Sequence, residues 1–198
     1  MLAKRMVGSI LKPEFSIELM RSKMEKATKM AILPANTKVD KIGFNGLSAE
    51  LITTETADRN NYVLYLHGGG YNSGSPATHR EFVAHISKWS RSKVLVPSYR
   101  LAPEHPFPAA LEDALASYQW LLDKGLSNKQ ISIAGESAGG GLTLATCLSL
   151  RDRGFPLPSS LVCISPWTDL EMTGESITTL EKIDPVLNFA ACPSGRRA

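Results

Sequence analysis

The chain is 198 residues long, 43% hydrophobic and 21% charged, with a formal net charge of +3. These values belong to a soluble globular chain able to bury one core of useful size, and they exclude a disordered or fibrous one. The basic residues are spread rather than striped, which argues against a nucleic-acid partner. No apolar run is long enough to span a bilayer, so no stable membrane anchor is expected.

In chain order, the first eleven residues carry Lys4 and Arg5 but too short an apolar stretch for a secretory leader. Residues 13–30 place Ile17, Leu19, Met20, Met24, Ala27 and Met30 at helical spacing, with Lys23, Lys26 and Lys29 outside that face. Such a helix serves either as a lid or as an ordinary packed element. Residues 38–54 read as two strands around Asn45-Gly46, a strong hairpin signal. Residues 62–66 form a continuous apolar strand, as inside a sheet covered on both faces. A helix over 80–90, a strand over 93–96 and a helix over 109–122 follow. After them come a short strand over 130–134, a buried helical run over 142–148 and a last strand near 161–164. This alternation predicts an α/β fold with a mainly parallel, open sheet and helices on both faces. Cys147, Cys163 and Cys192 make no even framework and no C-x-x-C pair, which fits a reducing, cytoplasmic compartment. The four histidines have no metal-ligand spacing, so no metal is expected.

The chemistry concentrates at Gly135-Glu136-Ser137-Ala138-Gly139, a G-x-S-x-G pattern between the strand and the helical run. Glycines two residues either side of a serine let strand and helix approach closely, and they leave the serine Oγ exposed above the sheet edge. Ser137 is the nucleophile candidate; the bland alternative is an ordinary Gly/Ser turn. His67-Gly68-Gly69-Gly70 directly follows the strand over 62–66. A glycine triplet there lets the backbone N–H groups of Gly69 and Gly70, with that of Ala138, converge on a developing oxyanion. Alone it would read as a flexible loop. Neither glycine cluster fits a phosphate site, since no G-x-x-x-x-G-K-[ST] occurs.

These motifs, with Tyr99-Arg100-Leu101-Ala102-Pro103-Glu104-His105-Pro106-Phe107-Pro108-Ala109 between them and Ser165-Pro166-Trp167-Thr168-Asp169-Leu170 and Asp184-Pro185 after them, resemble the hormone-sensitive-lipase family of α/β-hydrolases. The resemblance implies cofactor-free hydrolysis of small carboxylic esters of short to medium acyl length. It implies Ser137 as nucleophile, Gly69, Gly70 and Ala138 as the oxyanion hole, and His67 as a structural anchor of the loop. It also implies that residues 1–37 form cap helices and residues 38–189 an incomplete hydrolase core, while residues 190–198 lose all periodicity and read as an irregular tail.

One departure is large. In this fold the chain order is serine, acid, histidine. Here His67, His79, His85 and His105 all precede Ser137. Asp152, Asp169 and Asp184 follow it, but an acid without its histidine orients nothing. The expectation is an esterase truncated near Asn188, with the C-terminal strands missing and activity impaired. The alternative is a non-catalytic relative of the same fold that binds a small ligand. The binding alternative would need a closed fold; in the truncated one the strand near 161–164 would be an open edge, through which the chain would aggregate or form a homo-oligomer.

Overall fold

The computed structural model of the chain describes residues 16–180 and residue 183. Helix α1 (Ile17–Ala27) and a 3₁₀ turn (Thr28–Met30) lead into β1 (Lys38–Phe44), β2 (Leu47–Thr53) and β3 (Asp58–Leu66). Then α2 (Pro76–Ser90), β4 (Ser92–Pro97), α3 (Ala109–Asp123), β5 (Ile131–Glu136), α4 (Ala138–Asp152), β6 (Ser160–Ile164) and a short α5 (Glu175–Thr179) follow.

The strands form one six-stranded sheet in the order β1-β2-β4-β3-β5-β6. β1 and β2 close the expected hairpin, with Asn45 at φ 50° and Gly46 at φ 79°. Positive φ at both central residues gives the turn whose twist matches that of the flanking strands. β2 also runs antiparallel to β4, while β4 with β3, β3 with β5 and β5 with β6 are parallel. Each parallel connection needs a crossover, and α2, α3 and α4 supply them. From β3 the chain crosses to β4 on one side, and from β4 it returns past β3 to β5 on the other. The carboxyl ends of β3 and β5 therefore flank the point where strand order reverses, the place where open α/β sheets hold ligands.

Alternation along the strands builds two cores. Leu64, Leu66, Leu95, Ile131 and Ile133 pack with Ala114, Tyr118 and Leu121 of α3 and Leu142 and Leu150 of α4. Val63, Tyr65, Val94 and Val96 pack with Val83 and Ala84 of α2 on the opposite face. The helices thus cover both faces, as expected. Among the described residues β6 is an outer strand, and its residues alternate between exposed and half-buried.

Two helices differ from the sequence expectation. α2 starts at Pro76 rather than near residue 80, because Ser75 and Thr78 form a reciprocal cap ahead of it, with proline in the first turn. α4 starts at Ala138, directly from the turn, rather than near residue 142. α1 is capped by Ser16, and none of its residues is fully buried. Residues 1–15 of the expected cap segment, Asp184, Cys192 and the 190–198 tail lie outside the described residues.

Candidate active site

β3 and β5 are in register with Leu66 opposite Gly135, so His67 and Glu136 leave the sheet side by side. The chain then turns at Ser137, with φ 54° and ψ −121°, and α4 begins at the next residue. A residue with a Cβ is strained at positive φ and stays there only if its surroundings hold it. Its own backbone groups do so. The Ser137 N–H donates to the Ile164 carbonyl at 3.0 Å, and its carbonyl accepts the Trp167 N–H at 2.8 Å and the Gly141 N–H at 3.1 Å. The Ser165-Pro166-Trp167 stretch thus brackets the turn. Gly139 is required by closeness, since a Cβ there would run into the carbonyl oxygens of Leu66 and His67. That contact also sets the first turn of α4 against the start of the glycine loop. Ser137 is half-buried, and its Oγ makes no hydrogen bond among the described residues.

The glycine loop hangs from a buried stack. The His67 ring lies 4.2 Å from the Tyr99 ring and 5.3 Å from the His79 ring, centroid to centroid, and Tyr99 donates its hydroxyl to the His67 carbonyl at 2.6 Å. His67 Nδ1 sits 2.8 Å from the Gly68 carbonyl oxygen. Burial, then the nearby His79, pushes the His67 imidazole down to about 4, so the ring is neutral at pH 7. Gly69 (φ 121°) and Gly70 (φ 63°) form the bend, and the Gly69 carbonyl accepts the N–H groups of Asn72 and Ser73. The N–H of Gly68 is engaged by the Glu136 carboxylate. Those of Gly69, Gly70 and Ala138 have no hydrogen-bond partner among the described residues.

Glu136 is the residue that sequence reasoning passed over. Its carboxylate accepts the Tyr65 hydroxyl at 2.5 Å and the Gly68 N–H, and it lies 2.8 Å from His79 Nε2. Burial raises its pKa, but the contacts from His79, Tyr65 and Gly68 outweigh burial and hold the carboxyl below its ordinary range. One charged side chain in the elbow thereby grips the glycine loop. The available signal is an acid placed among small residues where a buried strand ends.

The remaining predicted residues lie elsewhere. Within α2, His79 is engaged by Glu136, and His85 packs beside Trp89, ring centroids 5.0 Å apart. His105 is exposed on the loop before α3. No histidine hydrogen-bonds Ser137 Oγ among the described residues. The Asp169 carboxylate accepts the N–H groups of Glu171, Thr173 and Gly174 and is thus spent on its own turn. Asp152 pairs with Arg151 on the exposed end of α4. Arg100 makes a forked contact with the buried Asp113 and fixes the loop after β4 to α3. Among the described residues no cluster of histidine, cysteine and acid side chains is placed to hold a metal, and no helix is long and apolar enough to cross a membrane.

Residues 63–198 match the family described as alpha/beta hydrolase fold. An acetyl-hydrolase of Streptomyces hygroscopicus is 47% identical over 128 residues, covering 65% of this chain and 43% of that protein. An esterase of Acinetobacter venetianus is 34% identical over 166 residues, 83% of this chain and 54% of that one. A solved esterase from the bacterial hormone-sensitive lipase (HSL) family is 42% identical with a TM-score of 0.90, covering 96% of this chain and 66% of that one. The chain spans about half the length of the curated relatives it matches. It belongs to the α/β-hydrolase family, in its hormone-sensitive-lipase branch.

Proposed function

We propose that Ser137 is the nucleophile of an ester hydrolase acting on small carboxylic esters of short to medium acyl length. What carries this is one juxtaposition. A strained serine whose Oγ has no hydrogen-bond partner among the described residues opens α4, and Gly139 in the first turn of that helix packs on the Leu66 and His67 carbonyls at the root of the glycine loop, where the N–H groups of Gly69 and Gly70, like that of Ala138, have no partner among the described residues. In the proposed reaction Ser137 Oγ bonds to the carbonyl carbon while the carbonyl π pair moves onto oxygen. The three amides take up that negative charge. The intermediate collapses, the bond to the alkoxide breaks, and the alcohol leaves with a proton. Water then attacks the acyl-serine in the same way and releases the acid. No cofactor enters. Similarity to an acetyl-hydrolase supports the short end of the acyl range. His67 is a support rather than a base, because its ring is buried, its Nδ1 is engaged with Gly68, and burial leaves it little affinity for a proton.

The serine proton needs an acceptor, and no histidine follows Ser137 in the 198 residues. With water as acceptor, binding and oxyanion stabilisation alone are worth about 10³–10⁴ over the uncatalysed rate. We therefore expect the 198-residue chain to turn over far below the usual range of about 1–10³ s⁻¹. Residues 1–37 are proposed to be the cap over the acyl site, and β6, the last strand of the sheet among the described residues, to pair with a second copy.

p-Nitrophenyl butyrate tests the assignment. Slow hydrolysis, with a butyryl adduct on the intact protein that disappears in Ser137→Ala, is expected. Equal rates in parent and Ser137→Ala would overturn it in favour of the non-catalytic, ligand-binding alternative. Turnover in the usual enzyme range would point to a base among the residues outside the described set.

A further inference from the structure

Helix α1 turns Arg21 and Glu25 toward the far end of the glycine loop. The Arg21 guanidinium donates from Nε to the Asn72 carbonyl at 2.7 Å and from Nη2 to the Ala102 carbonyl at 2.8 Å. It also donates to both Glu104 carboxylate oxygens, at 2.8 and 3.0 Å. Glu25 accepts the hydroxyl of Ser75 at 2.5 Å. The loop is therefore fastened at Gly68 by Glu136, at Asn72 by Arg21 and at Ser75 by Glu25. Between the first two fastenings lie Gly69, Gly70 and Tyr71, with φ of 121°, 63° and 60°. Local preference does not hold such a stretch, because glycine has wide freedom and tyrosine is strained at that φ. The fixed ends, with the bonds that the Gly69 and Tyr71 carbonyls accept, are what hold the peptide planes of this stretch.

We infer that Arg21 is a positioning residue for the oxyanion donors, and that α1 governs the site through it. The inference rests on the proposed role of the glycine loop. Its core is a clamp across two chain segments. The Ala102 N–H donates to the Tyr71 carbonyl at 2.9 Å, and Arg21 ties the adjacent Asn72 carbonyl to the Ala102 carbonyl. A planar fork of donors spans both carbonyls, whereas a lysine ammonium is a point charge that cannot reproduce the fork. The ion pair is secondary. The Glu104 side chain is 51% exposed, and exposed pairs of this kind contribute little.

The test uses the full 198-residue chain with Arg21→Ala, Arg21→Lys and Glu104→Gln. Two probes separate transition-state from ground-state binding: butylboronic acid, which adds to a serine Oγ as a tetrahedral anion, and planar butyramide. Hydrogen exchange is followed at the hydrogen-bonded amides of Asn72, Ser73 and Ala102. In Arg21→Ala exchange at these amides should rise about tenfold, boronate affinity should fall about tenfold, and butyramide affinity should stay within about twofold. Arg21→Lys should recover part of the loss, and it replaces the alanine variant if that one fails to fold. Glu104→Gln, which spares both carbonyl contacts, should stay close to the parent. Parental exchange rates, or parental boronate affinity, in the Arg21 variants overturn the proposal. A parent that binds neither probe refutes the function proposed for Ser137 separately. In that case raised exchange in Arg21→Ala still supports the clamp, and unchanged exchange overturns it.

Discussion

Glu136→Gln keeps the shape of a side chain and removes its charge, at a point where the structure concentrates donors. The carboxylate serves the Gly68 N–H, the Tyr65 hydroxyl at 2.5 Å and His79 Nε2 at 2.8 Å, and the side chain is only 21% exposed. In the variant the amide oxygen retains two of these contacts at neutral strength. The amide NH₂ faces Tyr65, whose hydroxyl must turn and accept. Hydrogen bonds to a charged group are worth about 1.5–3 kcal/mol and neutral ones about 0.5–1.5 kcal/mol. A loss near 1 kcal/mol for each contact gives about 2–3 kcal/mol of stability, read as a lower urea midpoint at pH 7. The pH dependence has a definite sign. The folded carboxyl titrates below its ordinary value of 4.5, so its contribution is present above that value and is lost as pH falls through the folded one. The gap between parent and variant should be full at pH 7 and should close in acid below about 4.5. A variant within about 0.5 kcal/mol of the parent at pH 7, the range of ordinary surface changes, would refute the hub assigned to Glu136.

His67 adds a second acid-side loss at higher pH. It remains neutral in the fold down to about 4 but takes its proton near 6.5 when unfolded, so the unfolded state binds more protons between those values. Stability should fall by up to about 3 kcal/mol from pH 7 to pH 4, and His67→Gln should flatten that part of the urea-midpoint profile; an unchanged slope assigns it to other groups. On the outer strand β6, Val162 is 49% and Ile164 37% exposed. The 198-residue chain should self-associate with rising concentration and Val162→Lys should reduce this, whereas light scattering that shows monomers for both proteins would refute edge pairing.

The parts of the fold legible in the sequence are those encoded locally. Asn45-Gly46 fixes the hairpin because both residues tolerate positive φ, and the apolar run 62–66 reads as a buried strand because both of its faces are covered. The start of α2 was also local, in Ser75-Pro76 and Thr78, yet the apolar periodicity begins later and drew the boundary past it. What holds the site together was not legible. Glu136 meets Tyr65 across 71 positions, and Arg21 meets Asn72 across 51 and Glu104 across 83. Periodicity tells which face of an element is buried, but not which distant donor finds which carboxylate.

The same distinction separates charge stabilisation from proton transfer at Ser137. The donors proposed for an oxyanion follow β3 and β5, which lie together because the chain crosses from β3 to β4 on one side and returns past β3 to β5 on the other. The N–H groups of Gly69, Gly70 and Ala138, without partners among the described residues, follow from that topology, from the fastened loop and from the helix that begins at the turn. Proton transfer has no such provision among the described residues. His67 is held by Gly68, His79 by Glu136, His85 packs against Trp89, and His105 stands on an exposed loop. Asp169 is spent on its own turn. A tetrahedral anion needs only the first provision to bind, whereas turnover needs both. Boronate affinity and esterase rate should therefore dissociate in this chain, with the anion bound well and the ester cleaved slowly.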